Sequence, residues 1–113
     1  VQLRKRLYPQ AAATLKQALK RLSSEPDEAR ALIENALGFA LAAQKDYSGA
    51  TKHYKLALKA KADYPVALNN LAFAQEKLLK DAEAISLYEK TLQLEPDNAT
   101  AKNGLKKLKR RNS

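Results

Sequence analysis

The apolar residues of this chain return at a fixed interval. Between residues 31 and 98 the pattern of one stretch is written again 34 residues later. Leu37 is matched by Leu71, Gly38 by Ala72, Ala50 by Ala84, Tyr54 by Tyr88 and Leu58 by Leu92. The phrases NALGFA (35–40) and NNLAFA (69–74) are the plainest instance. Within each unit a helix-like run breaks near Asp46 or Asp81, then resumes with small residues on the inner face of the next helix. Asp46 is placed to act as an N-cap, and Asp81 sits near the start of its helix. Pro65 and Pro96 are expected to open the helices that follow, where a missing N–H costs nothing. Each unit, 31–64 and 65–98, is therefore predicted to be a helix–turn–helix. Gly38 and Ala72 are expected to face Ala50 and Ala84, so that antiparallel helices approach closely.

The pattern continues past both ends of this region. YPQAAATLKQAL sets Tyr8 against Tyr47, Ala11 against Ala50, Leu15 against Tyr54 and Ala18 against Ala57. It reads as the second helix of an earlier unit, opened by Pro9, with Val1–Leu7 as the tail of that unit's first helix. Ala11 and Ala50 are 39 residues apart, so about five extra residues around SSEPDEARAL lengthen that connection or the next helix. After Pro96 a last helix is expected in which Leu105 and Leu108 are apolar and the remainder polar, as a solvated end cap requires. The 113 residues make one domain: half a unit with a long connection (1–30), two full units and a capping helix (99–113).

Composition narrows the chemistry. With three Gly, four Pro and abundant Ala, Leu and Lys the chain favours helices. It has no Cys, so disulfide and thiolate chemistry are excluded. The single His53 falls one residue before Tyr54 and reads as a solvated helix residue. Gly38, Gly49 and Gly104 are too scattered for a phosphate loop. Asp81 and Glu83 at a helix start are explained by capping and dipole compensation. No enzyme, cofactor or metal site is expected. No apolar run approaches the ~18 residues of a membrane span. The chain begins at Val1 without a signal-peptide pattern, which reads as a piece cut from a longer protein.

The net charge of +9 is unevenly spread. Residues 1–30 hold seven basic and three acidic groups, residues 65–98 three against six, and residues 99–113 six against none. The basic ends LRKR and KKLKRR could meet phosphates or an anionic membrane surface. The acidic unit between them breaks any continuous basic stripe. A basic helical-repeat module for nucleic acid or anionic membrane therefore stands as the alternative reading.

The order Leu, Gly/Ala, Ala, Tyr, Ala/Thr, Pro closely resembles the tetratricopeptide repeat. In residues 65–98 it is carried by Leu68, Leu71, Ala72, Ala84, Tyr88, Thr91 and Pro96. In residues 31–64 it is carried by Leu37, Gly38, Ala50, Tyr54 and Ala57, with Ala62 in place of the usual Pro. The resemblance implies an all-α solenoid of helix–turn–helix units, wound as a right-handed superhelix. The first helix of each repeat then lines a concave groove with its fifth, ninth, twelfth and thirteenth positions. Here the fifth positions are Asn35, Asn69 and Asn103, and the ninth are Phe39, Phe73 and Lys107. The last pairs are Ala42 with Ala43, Glu76 with Lys77, and Arg110 with Arg111.

Asn and Phe four apart share a helical face. An amide can donate to and accept from a peptide backbone, and Phe offers apolar area at low entropic cost. The groove residues expected to bind a protein or peptide partner are thus Asn35, Phe39, Asn69, Phe73, Lys77, Asn103 and Lys107. Phe39 and Phe73 are favoured for groove over core, since Leu37, Leu41, Leu71 and Leu78 already supply core. The Asn ladder fits either a groove or local backbone caps. Asn70, common at its position in these repeats, reads as structural. Co-chaperone relatives hold a chaperone's C-terminal carboxylate in a Lys/Asn/Asn/Lys/Arg clamp. With Asn70 as its second Asn, the other positions here are Asn35, Phe39, Thr100 and Gly104, so that clamp is not expected.

More narrowly, LRKRLYPQA, NALGFA, HYKLAL and NNLAFAQEKL resemble the tetratricopeptide assembly factors of photosystems in cyanobacteria and plastids, the photosystem I group in particular. Members of that group carry an N-terminal membrane anchor. The resemblance implies a thylakoid-associated scaffold, held near the membrane by an upstream anchor, whose groove takes a photosystem subunit or another assembly factor. Without it, the composition implies only a soluble intracellular protein.

Overall fold

A computed structural model describes residues 8–21 and 27–112. These form six helices: α1 (Tyr8–Arg21), α2 (Asp27–Ala43), α3 (Tyr47–Ala60), α4 (Pro65–Lys77), α5 (Asp81–Leu94) and α6 (Ala99–Arg111). Each helix packs on the next in the chain, and α4 also touches α2 and α6. The result is an all-α solenoid of 46 × 30 × 24 Å. Helices α2 and α3 pack against each other, as do α4 and α5, with α1 before them and α6 after. The tail expected over Val1–Leu7 lies outside the described residues.

The helix ends follow local chemistry. Asp46 caps α3 by accepting from the Gly49 N–H at 2.9 Å. A Cβ on Gly49 would sit 2.4 Å from the Asp46 carboxylate, so the glycine leaves room for the cap. Pro65 occupies the first turn of α4, as expected. Pro96 does not open a helix. Asn98 caps α6 instead, accepting from the Ala101 N–H at 2.9 Å, and its own N–H donates to the Glu95 carbonyl at 3.0 Å. Pro96 therefore stands in the turn before the cap. α2 is 17 residues long against 13 for α4, so the residues inserted ahead of the first full unit include an added helical turn from Asp27. The rest of that connection, residues 22–26, lies outside the described residues.

Helices α2 and α4 end alike. The Asp46 N–H donates to the Leu41 carbonyl and the Lys80 N–H to the Gln75 carbonyl, both at 2.9 Å. Lys45 and Leu79 between them adopt φ of 66° and 62°. This is a Schellman ending with a non-glycine residue at the left-handed position.

The core is built from small residues around two large rings. Tyr54 packs with Ala50, Leu71 and Ala74, and Tyr88 with Ala72, Ala84, Ala101, Leu105 and Leu108. The fully buried Leu108 and the buried Leu105 of α6 fill their expected place. Gly38 does lie close to Ala50, whose carbonyl is 3.1 Å from where a Cβ would stand. Its nearer neighbour is the Tyr54 ring, at 2.6 Å. Tyr88 is received by Gly104 of α6 in the same way, at 2.5 Å.

Two stability outcomes follow from this packing. Leu79 is 81% exposed, so Leu79→Gly gives up little burial and relieves a left-handed residue. It should raise stability by about 0.5–1 kcal/mol in thermal unfolding, with Lys45→Gly acting alike; an unchanged or lower melting temperature would contradict the left-handed ending. Gly38→Ala should instead lower stability by about 1–2 kcal/mol, the forced shift of the Tyr54 ring outweighing the gain in helix propensity. A neutral effect in denaturant unfolding would show that the ring has room to move.

Candidate functional site

Because α4 touches both α2 and α6, these three helices together make one face of the solenoid. Phe39 on α2 and Phe73 on α4 occupy the same register and stand 53% and 44% exposed. They are neither core nor free on an open surface. With Ala42, Ala43, Asn69, Asn70 and Thr100 they wall a cavity of about 290 Å³ whose lining also includes Tyr54 and Tyr88. A second cavity of about 310 Å³ lies beside it, lined by Phe73, Glu76, Tyr88, Thr100, Asn103, Gly104 and Lys107. The two share Phe73, Tyr88 and Thr100, so together they form one trough across α2, α4 and α6.

The other residues expected at the site take different places. Asn69 lines the first cavity; its amide donates to the Asn98 Oδ1 at 2.9 Å, while its own Oδ1 is buried without a partner. Asn103 lines the second cavity. Asn35 lines neither: it is 8% exposed, and its Oδ1 accepts from the Asn70 amide at 3.0 Å, linking α2 to α4. The Lys77 ammonium stands 5.2 Å from the centre of the Phe73 ring, a contact worth about 0.5–1 kcal/mol. Lys107 Nζ lies 2.8 Å from the Glu76 Oε1 as an ion pair, in a geometry that makes no directed hydrogen bond. Arg111 lines neither cavity; its Nε donates to the Asp81 Oδ2 at 3.0 Å.

Several trough residues lie outside the set that the sequence marks for binding. Tyr54 and Tyr88, matched there as repeat positions, contribute to the first cavity's lining. The Tyr88 hydroxyl donates to the Glu76 Oε2 at 2.6 Å, so both oxygens of this 4%-exposed carboxylate are engaged. Ala42 stands in the register of Glu76, so Tyr54 has no such acceptor. Asn70, which reads as structural, and Thr100 and Gly104, which depart from a carboxylate clamp, all line the trough. The signal that marked them was their register on the lining helices, although their small or neutral side chains suggested no ligand chemistry.

Two further side chains depart from their expected roles. Asp81 does not cap α5, whose cap position is Lys80. Its carboxylate accepts from Arg111 and from the Asn112 amide, and these two bonds hold it below the usual carboxylate range. His53 is not a solvated residue: its Nδ1 lies 2.9 Å from the Oε1 of the buried Glu34 on α2. Burial pushes the Tyr54 hydroxyl above its ordinary value of 10.0. Burial, with the Glu76 carboxylate beside it, does the same for Tyr88.

No family model matches the chain. Among curated proteins it is similar to the ycf37 protein of Cyanophora paradoxa, 34% identical over 105 residues, covering 93% of this chain and 60% of that protein. It is also similar to the tetratricopeptide repeat domain-containing protein PYG7, chloroplastic, of Arabidopsis thaliana. That match is 31% identical over 102 residues, 90% of this chain and 34% of that protein. The chain thus spans less than two thirds of the length of either relative. Among solved structures it superposes on the second TPR domain of human RPAP3, solved in complex with an HSP70 peptide. The TM-score is 0.81 at 25% identity, over 90% of this chain and 81% of that one. The Arabidopsis OM64 TPR domain gives a TM-score of 0.85 at 23% identity, over 94% and 84%.

The buried tyrosines give this face a signature in alkali. Both hydroxyls hold their protons more tightly folded than unfolded, so their contribution is intact below pH 10 and is lost as pH rises beyond it. Ultraviolet titration should show two of the five tyrosines failing to ionise in the ordinary range until the fold gives way. All five ionising together near pH 10 with the helices intact would contradict the packing.

Proposed function

We propose that this chain, whose fold is that of the tetratricopeptide repeats, is a non-catalytic scaffold that holds a segment of a partner protein in the trough across α2, α4 and α6. The observation that carries this reading is the pair Phe39 and Phe73. Both side chains stay half-exposed and line one formed cavity, at equivalent points of two repeats. Apolar rings held open on rigid helices have little use in stability and fit a binding surface. The RPAP3 domain, similar in fold, is one that holds a peptide.

The partner we propose is a photosystem subunit or another assembly factor, the photosystem I apparatus first. The chloroplastic PYG7 relative supports a plastid or cyanobacterial setting. Among the described residues no helix is long and apolar enough to cross a membrane. Thylakoid association would then be peripheral for this region, or come from sequence outside it. The basic end of the chain speaks less for nucleic acid once its partners are known. Lys107 pairs with Glu76, Arg111 with Asp81 and, more loosely, Lys102 with Asp97 at 3.8 Å. Much of that charge answers the acidic repeat within the same chain.

Crosslinking and mass spectrometry in native photosynthetic extract, with and without Phe39→Ala/Phe73→Ala, tests this reading. The wild type should crosslink through α2 and α4 to photosystem components, and the folded double variant should lose most of those links. Undiminished crosslinking by the variant would remove the trough from the account. Partners confined to other cellular machinery would remove the photosystem role.

A further inference from the structure

We infer that the trough takes an extended segment carrying one bulky apolar side chain and, about three residues away, a carboxylate. The apolar group lodges between Phe39 and Phe73, and the acid lies toward α6. This rests on the trough being the binding surface and adds the chemistry of what it binds.

The two cavities differ in kind. The first has no ionised side chain in its lining; two phenyl rings and two alanines dominate it. At about 290 Å³ it has room for one large side chain, since roughly 150 Å³ is enough to hold a benzene ring. The second is bounded by charge, and what it shows to solvent is positive. Glu76 is 4% exposed with both oxygens engaged, whereas the Lys107 side chain is 58% exposed. Lys77 adds a second ammonium at the Phe73 rim, with no carboxylate partner among the described residues. From residue 99 onward the sequence contains no acidic residue to offset them. A partner crossing from α2 to α6 therefore passes from phenyl to ammonium. An acid at the α6 end is attracted and a base repelled, which gives the trough a preferred sequence as well as a shape.

The spacing follows from the helices. Neighbouring packed helices stand about 8–10 Å apart, and an extended chain advances roughly 3.3 Å per residue. One step along the trough is thus about three residues of ligand.

Selection of random twelve-residue peptides displayed on phage, against the immobilised chain, tests this directly. Enriched peptides should pair Phe, Leu, Met, Ile or Trp with Asp or Glu two to four residues away. Their affinity should fall by about tenfold or more in Phe39→Ala/Phe73→Ala, as for loss of a buried anchor. Lys77→Glu, at an exposed site, should weaken the acidic peptides and shift selection toward Lys or Arg at that place. Circular dichroism establishes that each variant is folded. Peptides that depend on the two Phe rings but show no preference for acids would overturn this inference and leave the trough reading standing. Peptides that bind the double variant equally well, or no enrichment over bare support, would overturn both.

Discussion

A tyrosine ring seated on a glycine is the contact from which the rest of this solenoid is set. Tyr54 lies against Gly38 of its own repeat and Tyr88 against Gly104 of the following helix. Each ring, among the largest fully buried side chains, packs with small residues of its own helix and of helices on the lining face. An aromatic ring buries roughly 150–250 Å², so two of them supply much of the core of a chain otherwise rich in alanine. They also contribute to the lining of the trough. The core and the candidate site therefore share residues, and the site is as rigid as the packing beneath it.

Charge gathers at the second of these rings, where the Tyr88 hydroxyl meets the Glu76 carboxylate. The acidic repeat and the basic helix α6, separate blocks in the sequence, meet through Glu76–Lys107 and Asp81–Arg111. The first pair sits in the trough wall and is joined from below by the Tyr88 hydroxyl. A carboxylate as buried as Glu76 is costly unless its oxygens are engaged. Here the engagement ties α4, α5 and α6 together and leaves an ammonium as the outward-facing group. The second pair is on the surface and contributes less, but with Asn112 it secures the end of the last helix against the start of α5.

The misreadings of the sequence share one cause. Pro96, Asp81 and His53 were given roles from their place along a single helix. Pro96 yields its expected place to Asn98, whose side chain satisfies the first turn of α6. Asp81 is claimed by Arg111, 30 residues away, and His53 by Glu34, 19 residues away. Asn35 and Asn69 share a register, yet one bonds to Asn70 and the other to Asn98. A ladder identical in sequence is thus unequal in space, because the helix that follows each asparagine presents a different partner. Local spacing carries no information about such long-range bonds.

By itself the sequence determined the element type, the repeat length, the pairing of helices and the side of each lining helix that bears Phe39 and Phe73. These follow from the 3.6-residue period and from the need for small residues where helices cross, and both are written locally. The tertiary structure decided the rest. It made Tyr54 and Tyr88 part of the trough, kept the two Phe side chains half-exposed in the lining of one cavity, buried Asn35, and paired part of the basic end of the chain with carboxylates. The physical reason is that exposure and pairing depend on the distance between helices and on which side chain arrives from the next one. A close ring-to-glycine approach sets that distance here, and it exists only once the helices have packed.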